Sequence, residues 1–186
     1  MVDGLPLTRL LRIDLMRAVY AHDYFGQTTA KLSAVLGVGL CPEFVAVALH
    51  RFASRLMPTP FRIFGWVCYL ASRYLTGTDV SPFATIGPGF RIAHAHGVVI
   101  GAQVVAGSDL TVFNGTNLGA RLAGGAPTDA DGMPRLGDRV FIGAGARVLG
   151  RIALGDDVLV AANAVVIRDV ASGTTVAGIP AKPLHG

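Results

Sequence analysis

One aliphatic residue returns at every sixth position from Val80 onward: Val80, Ile86, Ile92, Val98, Val104 and Leu110, then in a second register Leu136, Ile142, Val148, Leu154, Val160 and Val166. Glycine often follows it, as in "IGPGFR", "IGAGAR" and "LGDDVL", and the residue four places on is frequently small or aliphatic (Ala84, Ala146, Ile152, Val158, Ala164, Val170). A hexapeptide period of this kind is the signature of a parallel β-helix. Three hexapeptides close one triangular coil, so each anchor is expected to stack on the anchor eighteen residues later, with strands of successive coils about 4.8 Å apart. A turn every six residues needs small side chains, and the chain carries 24 glycines without a collagen triplet. The expected class is mostly β, with a column of aliphatic side chains as its core.

The two registers do not differ by a multiple of six, so residues must be extruded between them. They fall in "LGARLAGGAPTDADGMPR", a Gly-, Asp- and Pro-containing stretch over 118–135. A loop of this length on a compact solenoid is expected to be functional. Before Val80 the pattern is helical. "LPLTRLLRIDLMRAVY" has apolar residues at helical spacing, "PEFVAVALHRFASRL" aligns Phe44, Ala48, Phe52 and Leu56, and "PFRIFGWVCYLASRYL" aligns Ile63, Val67, Leu70 and Tyr74. These stripes need something to cover, which suggests an α-helical subdomain at 1–78 packed on the first coils of a β-helix domain at 79–186.

Charge excludes little but points away from nucleic acid. Residues 1–78 hold eight Lys/Arg against four Asp/Glu and residues 79–186 hold eight against eight, with no basic cluster interleaved with aromatics. No secretory signal is expected, because Arg9, Arg12 and Asp14 interrupt the first apolar run. "LSAVLGVGLCPEFVAVAL" is long enough to raise a membrane span but is broken by Gly-Val-Gly, Pro42 and Glu43. With Cys41 and Cys68 read as two buried thiols, the expectation is a cytoplasmic protein without a membrane span.

"RIAHAHGVVIG" places His94 and His96 two residues apart in otherwise aliphatic company. A zinc site needs three protein ligands, and the only other histidine of the repeat region is the terminal His185, with "VFNGT" one coil on. No metal is expected there.

Together, the helical segment, "TGTDVSPFATIGPGFRIAHAHGVVIG", an extruded loop, "IGAGARVLGRIALGDDVLVAANAVV" and a terminal "AGIPAKP" resemble the serine O-acetyltransferases of the hexapeptide-repeat acyltransferase superfamily, over about residues 10–184. The resemblance implies a left-handed parallel β-helix, acetyl transfer from acetyl-CoA to a hydroxyl, and a site between neighbouring subunits of a trimer or dimer of trimers. It assigns His94 as general base and Asp79, fifteen residues earlier, as the carboxylate that orients it. That pairing suits the chemistry: a hydroxyl is a poor nucleophile at neutral pH, and an imidazole that takes its proton can return it to the departing thiolate. The resemblance also places Gly119, Ala144, Ala162 and Gly178 along the acyl donor and Lys182 near a CoA phosphate.

On the acceptor side the chain departs from the family. Ala93 stands where the family has an aspartate, and Gly132 and Met133 where it has Arg-His; Asp23 matches a serine-binding carboxylate with a one-residue shift, and Arg121 or Arg135 are the cations at hand to compensate. An amino acid zwitterion needs a partner for each charge. The expected acceptor is therefore a hydroxyl compound other than free serine, such as a sugar or secondary metabolite, with serine itself as the alternative. His96 is expected as a partly buried, hydrogen-bonded neighbour of the acceptor site. A non-catalytic scaffold binding a partner through its helices is the alternative of another class, disfavoured by retention of His94 and Asp79.

Overall fold

The computed structural model describes residues 5–22, 37–121 and 132–184. Among the described residues three helices come first: α1 (Leu7–His22), α2 (Pro42–Leu56) and α3 (Arg62–Thr76). Fifteen short strands follow among the described residues, arranged as three sheets that form the sides of a triangular prism. The first side holds β1 (Asp79–Val80), β4 (Val99–Ile100), β7 (Asn117–Gly119), β10 (Arg147–Leu149) and β13 (Val165–Val166); the second holds β2 (Thr85–Ile86), β5 (Val105–Ala106), β8 (Arg135–Leu136) and β11 (Ala153–Leu154). The third holds β3 (Arg91–Ala93), β6 (Thr111–Phe113), β9 (Phe141–Ile142), β12 (Leu159–Val160), β14 (Thr175–Gly178) and the antiparallel β15 (Ala181–Pro183). The core is the expected aliphatic column, with Ile100, Leu118, Ile142, Val148 and Val160 at 1% exposure or less.

The register departs from a uniform eighteen. It is eighteen in the middle coils, as in Phe141↔Leu159 and Arg147↔Val165, and sixteen at the last step, as in Leu159↔Thr175 and Leu154↔Val170. In the first coil it is twenty, Val80 pairing with Ile100 and Ile92 with Val112. Val98, Val104 and Leu110 are therefore not the partners of Val80, Ile86 and Ile92. They are buried two residues ahead of each strand's anchor, a second inward position that is also aliphatic and so mimics the anchor's period. The step from Val105 to Arg135 is thirty residues, which accommodates the extruded stretch; of that stretch, 122–131 lies outside the described residues.

Helix α1 and helix α2 are fastened to the first coil by charge rather than by the expected stripe. The buried face of α2 is Ala46, Val47, His50, Arg51 and Ala53, while Phe44 and Ala48 are only half-buried and Phe52 is exposed. Arg51 is the reason. Its guanidinium donates to the Asp14 carboxylate of α1 (Nε to Oδ2, 2.8 Å) and to the carbonyls of Ile86 and Gly87. Asp14 Oδ1 in turn accepts from the Gly89 and Phe90 amides at 2.8 and 3.0 Å. Arg17 adds a second tie, donating to the Asp109 carbonyl at 2.8 Å and pairing with the Asp109 carboxylate.

Beside this clamp His50 is buried with its ring edge-on to Phe90, and Nδ1 has no hydrogen-bond partner among the described residues. Burial, reinforced by the Arg51 charge, holds its pKa down to about 3. The folded state thus keeps a neutral imidazole while the unfolded chain takes up a proton below its ordinary value near 6.5. His50 contributes nothing to pH dependence above that value, and stability falls as pH drops from 6.5 towards 3, at up to about 1.4 kcal/mol per pH unit. Urea unfolding followed from pH 7 to 4.5 is expected to show this slope, and His50→Leu to flatten it. An unchanged slope in the variant would assign the acid sensitivity to other groups.

Both cysteines are free and half-buried rather than fully buried. No helix among the described residues is long and apolar enough to cross a membrane.

Candidate active site

The two residues that lengthen the first coil lie at one corner. From Ile86 to Ile92 the chain advances six residues, but from Ile92 to Ile100 it advances eight, and the excess falls in His94-Ala95-His96-Gly97. Ala95 turns inward and is buried; His94, His96 and Gly97 all have positive φ, at 60°, 79° and 71°. Left-handed backbone is uncommon for residues with a Cβ, but it recurs at other turns of this prism, at Asp109, Arg139, Asp157 and Asn163, so what sets this corner apart is its two extra residues. The bulge rests on the end of α3, His96 N donating to Thr76 O at 3.2 Å and Gly97 N to Gly77 O at 2.8 Å. Gly77 caps α3 in the left-handed region, and a Cβ there would lie 2.7 Å from His96 Nδ1. His96 therefore lies exposed over the helix cap, not partly buried as expected.

His94 is exposed at the mouth of a cleft of about 590 Å³ between α1, α2 and the outer face of the third sheet. Its ring meets Phe113 edge-on at 6.1 Å, and Phe113 packs on Phe141 at 5.1 Å. Ala93, Phe44 and Cys41 complete the apolar lining, and Glu43 and Arg91 bring one charge of each sign to it. Sequence reasoning missed Glu43, Arg91 and both phenylalanines. Arg91, Phe113 and Phe141 occupy outward strand positions that a hexapeptide count leaves unmarked, and Glu43 reaches the cleft only through the docking of α2.

Asp79 opens β1, whose partner strand β4 follows the histidine bulge. Its carboxylate accepts from the Tyr69 hydroxyl at 2.6 Å and lies 3.6 Å from the Arg73 guanidinium, both one turn apart on α3. Burial, then the bond to Asp79, raises the Tyr69 pKa above its ordinary value, so the phenol stays a donor to Asp79 into alkaline solution. Among the described residues no hydrogen bond joins Asp79 to His94.

The edge that begins at His94 and His96 continues down the prism. Gly115 N donates to His96 O, Gly145 N to Asn114 O and Asn163 N to Ala144 O, which puts Ala144 and Ala162 on this same edge in successive coils. Gly178 and Lys182 lie on the terminal β14–β15 hairpin, with Lys182 exposed. Gly119 ends β7, on the neighbouring side. Met133 packs against Gly101 and the core at the corner after β4, and Arg135 lies exposed on the second side, so neither meets His94 within one chain. Arg121 is exposed beside the undescribed stretch, and Asp23 lies outside the described residues. Among the described residues no group of three His, Cys, Asp or Glu side chains is placed to hold a metal ion.

Comparison with known proteins bears on the same site. Residues 133–168 match the family of bacterial transferase hexapeptides (six repeats). The serine acetyltransferase of Bacillus subtilis (strain 168) is 40% identical over 70 residues, covering 38% of this chain and 32% of that protein. The chain thus spans about a third of the length of such curated relatives. The crystal structure of Neisseria gonorrhoeae serine acetyltransferase in complex with serine superposes with a TM-score of 0.80 and 31% identity, over 96% of this chain and 69% of that one. This chain belongs to the serine-acetyltransferase-like hexapeptide-repeat acyltransferases. The Brucella abortus strain S19 serine acetyltransferase in complex with coenzyme A gives a TM-score of 0.81 at 31% identity, over 95% of this chain and 67% of that one. As a member of this family, the chain's prism is a left-handed parallel β-helix, and the bulge at His94 lengthens its first coil.

Proposed function

We propose that this chain is an acetyl-CoA-dependent O-acetyltransferase in which His94 is the general base. The observation that carries the reading is the bulge: it spends two extra residues beyond the regular coil to hold a histidine at the mouth of a cleft. His94 would take the proton of the acceptor hydroxyl as its oxygen attacks the thioester carbonyl, and return it to the departing thiolate. Backbone N–H groups of the corner turns can stabilise the oxyanion. Asp79, fixed by Tyr69 and Arg73 at the start of β1, would supply negative charge to favour the imidazolium that forms. The acyl donor would lie along the edge through Ala144 and Ala162, where short side chains leave room for pantetheine, with Gly119 and Gly178 flanking it and Lys182 meeting a phosphate. A Brucella relative crystallised with coenzyme A supports that donor.

L-Serine is the acceptor best supported by the relatives, two of which are crystallised with it. The cleft adds chemistry that the loop sequence does not: Arg91 for a carboxylate and Glu43 for an ammonium, beside His94. Its aromatic wall of Phe44, Phe113 and Phe141 favours the second reading, a bulkier alcohol. The proposed enzyme is organised as a helical part over 1–78 and a β-helix domain over 79–186, and works as a trimer or dimer of trimers whose neighbour completes the cleft. Two free thiols fit a reducing, cytoplasmic location.

Steady-state thiol release from acetyl-CoA tests the acceptor. L-Serine is expected to be turned over with an efficiency of about 10⁴ M⁻¹s⁻¹ or more. Glu43→Gln is expected to raise KM for serine about 10- to 100-fold with a smaller effect on kcat, the cost of one charge-assisted hydrogen bond. Poor turnover of serine alongside efficient turnover of a sugar or aromatic alcohol would establish the second reading. Absence of thiol release with every hydroxyl compound would favour a non-catalytic role.

A further inference from the structure

The outward face of the third sheet carries a cation at one end and the candidate base at the other. Arg91 opens β3 and pairs across the ladder with Thr111 of β6, which pairs in turn with Phe141 of β9. Two residues on, Ala93 pairs with Phe113, and His94 follows. At about 3.3 Å per strand residue, the Arg91 and His94 backbones stand about 10 Å apart along one wall of the cleft. Between them the wall is apolar, with Phe113 and Phe141 packed on each other at 5.1 Å and His94 edge-on to Phe113.

Arg91 is half-buried against the cleft, and none of the ion pairs among the described residues includes it. The acids around it are committed elsewhere: Asp14 holds Arg51 and two backbone amides, and Asp109 pairs with Arg17. What weighs on Arg91 is a second cation. Burial, then the Arg17 charge, holds the Arg91 pKa below its ordinary value. Arg17 is fixed in that position, donating to the Asp109 carbonyl and the Thr111 hydroxyl at 2.8 and 3.2 Å. A half-buried guanidinium beside a like charge is unfavourable until an anion offsets it, and a guanidinium takes a carboxylate or phosphate through paired N–H donors. The cleft volume of about 590 Å³ falls within the range of about 300–1,000 Å³ found for small-molecule sites, which leaves room for a body between an acid and a hydroxyl.

We propose that Arg91, with Arg17 beside it, is an anion subsite that selects acceptors whose acidic group lies across an apolar body from the hydroxyl served by His94. The inference rests on the acetyltransferase reading and narrows its bulkier acceptor from any alcohol to an elongated hydroxy acid.

Thiol release with para-(hydroxymethyl)benzoate, which holds a carboxylate and a primary hydroxyl across one ring, is compared with release with the neutral amide of the same shape. The acid is expected to have the higher kcat/KM by about 10- to 100-fold, mostly through KM, as befits a charge-assisted hydrogen bond made on binding. Arg91→Gln is expected to bring that ratio to within about threefold of unity, and Arg91→Lys to restore part of it. A general loss of fold would lower both compounds alike and leave the ratio standing. Equal efficiencies of acid and amide with the wild type overturn the proposal, as does an acid preference that survives in Arg91→Gln. If that variant keeps the preference and changes its mass by light scattering, a carboxylate of a neighbouring copy answers Arg91 and the subsite is refuted. Calorimetric titration with the same two compounds separates the subsite from the reaction. Acid-selective binding that Arg91→Gln abolishes, without thiol release from any acceptor, upholds the subsite and sinks the acetyltransferase reading; titration that shows no preference for the acid sinks the subsite whatever the enzyme turns over.

Discussion

His94→Ala is expected to lower acyl transfer by about 10²–10⁴-fold, the range a positioned general base contributes, with binding of coenzyme A and the unfolding midpoint unchanged. The fold gives the substitution little else to disturb. His94 is exposed, and its edge contact with Phe113 is its main packing interaction. The position also has φ of 60°, which alanine tolerates less well, so His94→Asn is the control that suits left-handed backbone and still lacks a base. Asp79→Asn is expected to cost less, because it alters the field around the imidazole rather than removing the proton acceptor. Tyr69→Phe should cost least of the three: it removes the 2.6 Å bond to Asp79 but leaves the Arg73 guanidinium at 3.6 Å. The order His94, Asp79, Tyr69 in kcat is the checkable content. Near wild-type turnover in both His94 variants would remove the proposed mechanism, and a Tyr69 effect as large as the His94 effect would move the proton acceptor towards the helix cap.

The gradation follows from what the sequence displays and what only the folded chain assembles. Hexapeptide spacing made the β-helix legible, because each coil must turn an aliphatic residue inward at a fixed interval. It concealed the bulge, since Val98, Val104 and Leu110 are aliphatic for a different reason, being inward two places before the anchors Ile100, Ala106 and Val112. The family resemblance singled out His94 and Asp79. Tyr69, Arg73 and Glu43 were invisible because they reach the site across helix-to-strand contacts, for which no local period exists, and Arg91 because its outward position on β3 is one that the hexapeptide count leaves unmarked. The helical stripes misled in an instructive way. Ile63, Val67, Leu70 and Tyr74 do form one face, but periodicity reports only that a face is apolar, not which body covers it. The side of α3 that packs inward was chosen by close approach at Gly65, which hydrophobicity does not score.

The second large effect concerns the clamp that places those helices. Asp14→Ala is expected to destabilise the fold by about 3–5 kcal/mol, the usual result of stranding one member of a buried ion pair. Asp14 and Arg51 side chains are exposed by 0 and 3%, so water cannot replace the lost partner. The loss reaches further than the pair. Asp14 Oδ1 also accepts from the Gly89 and Phe90 amides, and Arg51 also donates to the Ile86 and Gly87 carbonyls, so four backbone groups of one corner depend on the two side chains. This sets the clamp apart from ion pairs that hydrophobic replacement improves. Asp14→Leu/Arg51→Met removes both charges but leaves those backbone groups unpaired, each at a cost of about 1–3 kcal/mol, so the double variant is expected to stay well below wild type and to show coupling between the sites. Urea unfolding at fixed protein concentration, read as a change in midpoint at constant m, measures all four species of the cycle. A loss under about 1 kcal/mol for Asp14→Ala would mean that α1 is not held to the corner by this contact. A double variant as stable as wild type would show that packing alone docks the helices. The expected outcome makes the first corner of the β-helix and the two helices over the cleft one cooperative unit, so that weakening the clamp should also lower acyl transfer by releasing Glu43 and Phe44 from the wall opposite His94.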